Sequence, residues 1–162
     1  MILKEVELNW CKVDANNPDG GFDGTTPQWN VDCVTRDSAQ AQEWKDKGID
    51  PKMGEDDKGV FYRMKVKKLA TNKNGSTADA PPVIGRDLMP ISRPSAIGNG
   101  SVGNVKIRTF DYNFNGKIGV GVRLEAIQIT HLVEYADAAE PNFGFAAMEV
   151  ATNTSSDSED LF

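Results

Sequence analysis

The segment GVFYRMKVKKL, Gly59–Leu69, alternates without a break. Val60, Tyr62, Met64 and Val66 fall on one side of an extended chain, and Phe61, Arg63, Lys65 and Lys67 on the other. Successive side chains of a strand point to opposite faces, so this period of two commits the segment to a strand with an apolar face inward and a cationic face outward. A second segment, NVKIRTFDYNF at 104–114, repeats the device. Val105 and Ile107 share one face, and Lys106, Arg108, Phe110, Tyr112 and Phe114 share the other.

The rest of the chain is also mostly extended. LKEVELNWCKVDA sets Val6, Leu8 and Trp10 opposite Glu5, Glu7 and Asn9, and QWNVDCVTRD lines up Trp29, Val31 and Cys33. Trp10 and Trp29 are therefore expected in the core. VIGRD reads as a short strand and VGVRLEAIQITHLVEY as a long final one, after a hairpin turn at Asn115-Gly116. SAQAQEWKDKG reads as a short helix, capped by Asp37 or Ser38 and stopped near Gly48. NNPDGGFDGTTP, IDPKMGEDDKG and TNKNGSTADAPP read as loops. Five or six strands with one helix between the second and third predict a mainly β protein, a small antiparallel barrel. After Tyr135 the composition changes, and TNTSSDSEDLF has few groups able to form a core. The expectation is one domain over 1–136 and a flexible acidic tail over 137–162.

The formal net charge of −6 over 162 residues hides a division. Residues 1–57 carry −7, residues 58–123 carry +9, residues 124–136 carry −2 and residues 137–162 carry −6. Opposite charge blocks in one chain suggest a surface for a polyanion and a tail able to compete for it. The alternative is that the lysines form an ordinary solvated face.

Several classes are set aside. No apolar run is long enough for a transmembrane helix, and MILKEVELNWCKVD lacks the apolar stretch of a signal peptide. The expectation is an intracellular protein. Cys11 and Cys33 cannot make a disulfide framework and read as reduced core residues, and one histidine, His131, excludes a multi-histidine metal centre. His131 lies among apolar residues, so it reads as packed rather than as a base. The GNGSVG run matches GxGxxG but follows a proline-rich loop and opens a strand, so it reads as a tight turn, not a dinucleotide site. DYNFNGKI begins like a calcium loop but places Val122 where the closing Glu belongs. Acids cluster away from the basic strands, which favours binding over metal-assisted hydrolysis. No cofactor and no catalytic set is expected.

Cations and rings on one strand face are the combination that unpaired nucleic acid requires. The charges serve the phosphates and the flat rings serve the bases. The expected contacts are Arg63, Lys65, Lys67, Lys106 and Arg108 on phosphates, with Phe61, Phe110 and Tyr112 on bases. The alternative is that a bulge shifts the register and turns the rings inward. At the chain's end, Asp157, Glu159 and Asp160 precede Leu161 and a terminal Phe162. Solubility alone needs no aromatic terminus. A peptide whose ring enters a partner's pocket, ringed by basic groups, does.

The order GVFYRMKVKKLA, a loop to PPVIGRD, IGNGS, the cationic-aromatic strand, GVGVRLEAIQITHLVEY and an acidic end in Phe162 resembles the phage-encoded single-stranded DNA-binding proteins with an OB-fold. The resemblance is clearest over residues 58–135 and the tail. It implies a five-stranded antiparallel OB-fold-like barrel that coats exposed single strands and removes their secondary structure during phage replication, recombination and repair, in the host cytoplasm. It also implies a tail that contacts the phage DNA polymerase or helicase-primase, and it allows annealing activity and a homodimer. Two other readings stay open: a protein-interaction module whose basic strands hold acidic tails, and a cold-shock-like RNA-binding domain.

Overall fold

The computed structural model describes residues 1–20, 24 and 26–134. The tail, with Asp157, Glu159, Asp160, Leu161 and Phe162, lies outside the described residues. Seven strands form one sheet: β1 (Ile2–Lys12), β2 (Gln28–Thr35), β3 (Lys52–Asp56), β4 (Gly59–Leu69), β5 (Val83–Ile84), β6 (Ser101–Phe114) and β7 (Lys117–His131). The helix α1 (Ser38–Asp46) sits between β2 and β3, its N-terminus capped by the Asp37 carboxylate accepting from the Ala39 amide at 2.9 Å.

The strand order β3-β4-β2-β1-β6-β7-β5, with an added β4–β7 pairing, closes β1, β2, β4, β7 and β6 into a five-stranded barrel. This is the OB-fold arrangement. Four of its seams are antiparallel, and the closing seam is parallel, with Lys67 opposite Arg123. Inward residues from all five strands fill the barrel, among them Leu3, Val6, Leu8, Val31, Cys33, Val66, Val105, Ile107, Leu124 and Ile127. Trp44 of α1 is buried in the same core.

The structure departs from the sequence reading at several points. IDPKMGEDDKG is not a loop throughout, because Lys52–Asp56 pairs with β4 as an edge strand. It lacks an apolar period because it covers no core, and Met53 is 70% exposed. Val60, expected inside, is exposed beyond the barrel wall on the same hairpin. Trp29 is buried, as its phase requires, but Trp10 is 56% exposed.

Two breaks in β1 explain the tryptophan. The pairing shifts between Leu3 and Val6 and again between Asn9 and Lys12, and Glu5 and Trp10 adopt left-handed φ values of 48° and 51°. Each bulge moves the inward phase by one residue. After the second, Cys11 is partly buried and Val13 fully so, in place of Trp10. The freed amides are not left bare: Glu5 donates to Asn104 Oδ1 at 2.9 Å and Trp10 to Asn99 Oδ1 at 2.8 Å. Gly100, at φ 93°, turns the chain into β6, so GNGSVG is the tight turn expected. His131, expected to pack, is exposed at the end of β7.

Candidate nucleic-acid interface

β6 and β7 join through Asn115-Gly116, with φ values of 51° and 81°. Both central residues are left-handed, the conformation that a two-residue turn needs to match the twist of its strands. The turn sets the register outward: Tyr112 opposes Gly119, Phe110 opposes Gly121 and Arg108 opposes Arg123. The rings do not turn inward. Phe110, Tyr112 and Phe114 are exposed by 49%, 45% and 70%.

The hairpin leans along β4, and two adjoining clefts lie between them. The first, of about 690 Å³, is lined by Arg63 and Lys65 of β4, Lys52 of β3, and Tyr112, Gly119 and Val120 of the hairpin, with the carboxylates Asp32 and Asp50 also on its wall. The second, of about 540 Å³, is lined by Lys67 and Lys68 of β4, Lys73 of the following loop, and Arg108, Phe110 and Arg123 of the hairpin, with one carboxylate, Asp111, beside them. Val122 borders both. Six of the eight residues singled out from sequence therefore converge: Arg63, Lys65, Lys67, Arg108, Phe110 and Tyr112.

The other two are placed differently. Lys106 is exposed on the same face of β6 as Arg108 but lines neither cleft. Phe61 is half-buried and also lines neither. Its ring carries the Arg36 guanidinium 5.6 Å from its centroid. That guanidinium is held by a two-point pair with Asp56, at 2.7 and 2.9 Å. The hydrogen bond from Arg36 keeps the Asp56 carboxyl below its ordinary range.

Arg123, Lys52, Lys68 and Lys73 were not singled out from sequence. For Arg123 the signal was present. Counting outward from a two-residue turn at Asn115-Gly116 puts it opposite Arg108. The others depend on which strands adjoin, which no local pattern carries.

The electrostatics of the second cleft are unbalanced. Lys67 opposes Arg123, and Arg123 opposes Arg108, so three cations form one row across three strands. Like charges directly opposite one another destabilise a sheet. Among the described residues, one ion pair relieves this row, Arg108 with Glu125 at 3.8 Å, and the Arg108 side chain is 67% exposed. In the first cleft Lys65 stands 3.9 Å from the buried Asp32 carboxylate. An open trough in which cations outnumber carboxylates, with exposed rings on one wall, suits a flexible polyanion that carries flat groups. Among the described residues no group of three or more His, Cys, Asp or Glu side chains is placed to hold a metal ion. No helix among them is long and apolar enough to cross a membrane.

The sequence matches no protein-family model and no curated protein. Solved structures do resemble the fold. The single-stranded DNA-binding protein from bacteriophage Enc34, in complex with ssDNA, superposes with a TM-score of 0.59 at 12% identity, over 82% of this chain and 86% of that one. Another structure of the Enc34 protein gives 0.55 at 9% identity, over 84% and 83%. Bacteriophage T7 gp2.5, a single-stranded DNA-binding protein, gives 0.54 at 20% identity, over 87% of this chain and 98% of that one. At such identities the likeness is one of fold: this chain is built on the same barrel as these phage proteins.

Proposed function

We propose that this protein binds single-stranded DNA with little sequence preference and is not an enzyme. The observation that carries the reading is the row Lys67–Arg123–Arg108 beside the exposed Phe110 ring. A fold gains nothing from three opposed cations unless an anion neutralises them. The phage proteins that share the barrel are described as single-stranded DNA-binding, which supports the same ligand here.

Arg63, Lys65, Lys67, Arg108 and Arg123 pair with phosphates along the trough, and Lys106 extends the cationic face. Tyr112 and Phe110 stack on bases, which tolerates any sequence because every base has a π-face. Cations come from both walls, so a strand lying between β4 and the hairpin meets charge on both sides. The proposed setting is phage DNA replication, recombination and repair in the host cytoplasm. The tail residues Asp157, Glu159, Asp160, Leu161 and Phe162 recruit the phage polymerase or helicase-primase, and compete with DNA for the trough.

A fluorescence titration of labelled oligo-dT, a matched duplex and a matched RNA tests the reading. Preferred binding of oligo-dT supports it. Preference for the RNA supports a cold-shock-like domain instead, and no nucleic-acid binding leaves a protein-interaction module. Deleting residues 152–162 removes three carboxylate side chains. It should raise affinity for oligo-dT at low salt, and an unchanged affinity would reject competition by the tail.

A further inference from the structure

We propose that Gly119 and Gly121 are positioning residues: they lay the Tyr112 and Phe110 rings across β7 so that each offers one open face to a base. The proposal rests on the single-strand reading and deepens it. Each glycine stands directly opposite its ring in the β6–β7 ladder. A Cβ built on Gly119 would fall 2.5 Å from Tyr112 Oη and 2.7 Å from its Cζ. On Gly121 it would meet Phe110 Cζ, with Cε2 at 2.5 Å and Cε1 at 3.0 Å. The outer end of each ring therefore occupies the space that any other residue's side chain would fill.

Nothing in the backbone requires glycine at these positions, since neither has a positive φ. Glycine in a strand interior costs stability and leaves no side chain to pack. The ring that takes that space is the reason consistent with the geometry. A ring lying over a strand has one face covered and one free. Phe110 and Tyr112 are each close to half exposed, as that arrangement requires.

A third pair in the same molecule shows what the free face can hold. Phe61 opposes Gly54, where a Cβ would fall 2.5 Å from the Phe61 Cζ. There the Arg36 guanidinium, a flat cationic group, stands over the ring. Among the described residues, no cation stands over Phe110 or Tyr112. Their outer faces are the ones left for planar groups of a ligand, and they line the two cationic clefts. Two such rings, two residues apart on one strand, serve neighbouring bases of a strand whose phosphates meet Arg63, Lys65 and Lys67.

The test is a double-mutant cycle on oligo-dT affinity at fixed salt, with a DNA-free measurement beside it. G121A should weaken binding by roughly threefold or more, a part of the about 5- to 150-fold that loss of a stacked ring costs. In an F110A background, G121A should cost nothing further, because there is no ring left to displace. Without DNA, the Gly121 Hα resonance should be shifted upfield by the ring above it, and F110A should abolish that shift. The pair G119A and Y112A repeats the cycle if G121A does not fold. Unchanged affinity in G121A, or an equal loss with and without Phe110, overturns the proposal while leaving single-strand binding intact. Failure of the wild-type chain to bind oligo-dT, with the ring-current shift present, overturns both.

Discussion

Replacing Arg123 by Ala separates the cost of the cationic row from its use. Arg123 is the middle member, opposite both Lys67 and Arg108. Removing it relieves two like-charge contacts. Each such cross-strand pair costs roughly 0.2–1 kcal/mol, so the variant should be as stable as wild type or melt a few degrees higher. DNA binding should move the other way. If Arg63, Lys65, Lys67, Arg108 and Arg123 each neutralise one phosphate, log affinity for a single strand falls against log salt with a slope of about −3.5. Arg123→Ala should bring the slope to about −2.8. Between about 50 and 200 mM salt, the variant would then lose about 2.5-fold less affinity than wild type. Oligo-dT titrations at four salt concentrations measure the slope, and calorimetry measures the melting temperature. An unchanged slope would place Arg123 off the DNA. A melting temperature several degrees lower would mean that the guanidinium supports the fold, and the reasoning from repulsion would fail.

Three further outcomes follow from the packing. Trp29→Ala should cost about 3–5 kcal/mol in urea unfolding, while Trp10→Ala should stay within about 0.5 kcal/mol, because the bulge turns that ring to solvent. Asn104→Ala should cost about 0.5–1.5 kcal/mol, since its Oδ1 accepts from the solvent-exposed, bulged Glu5 amide and its Nδ2 donates to Gln128 at 3.0 Å. Burial pushes the Cys11 thiol up to about 12 and raises Cys33 as well. The folded chain thus keeps protons that the unfolded chain releases above about pH 9. This contribution to stability is complete below that pH and shrinks as pH rises, by at most about 1.4 kcal/mol per unit per thiol. Urea midpoints from pH 8 to 10.5 should show the decline, and C33A should flatten it whatever its starting stability. An identical slope in C33A would refute the assignment.

Much of the site was legible because alternation is a local property. The two faces of β4 and β6 were readable from residue order, and burial of Met64, Val66, Val105 and Ile107 matches that order. The Asn115-Gly116 turn was readable from its residue types. The same turn carried the opposition of Arg108 and Arg123. It could not carry the next step, because a bulge in β7 puts Lys106 opposite Ala126 and Ile107 opposite Leu124. β3 was missed because an exposed edge strand owes its pairing to its neighbour, not to an apolar period. Trp10 was misplaced because a bulge is chosen by partners far along the chain, here Asn99, which no alternation in β1 reports.

The sequence by itself determined which side chains share a face on β4 and β6, since a strand's period of two is set by the chain's own covalent geometry wherever no bulge interrupts it. It also determined that the chain's charge is divided into blocks. Only the tertiary structure decided which faces meet. Closure of the barrel brings β4 beside β7 in parallel, sets Lys67 against Arg123, and leaves Tyr112 and Phe110 lying over glycines on the wall of the same trough. That closure is a balance of core burial and backbone pairing over the whole sheet, and such a balance is not contained in any one segment.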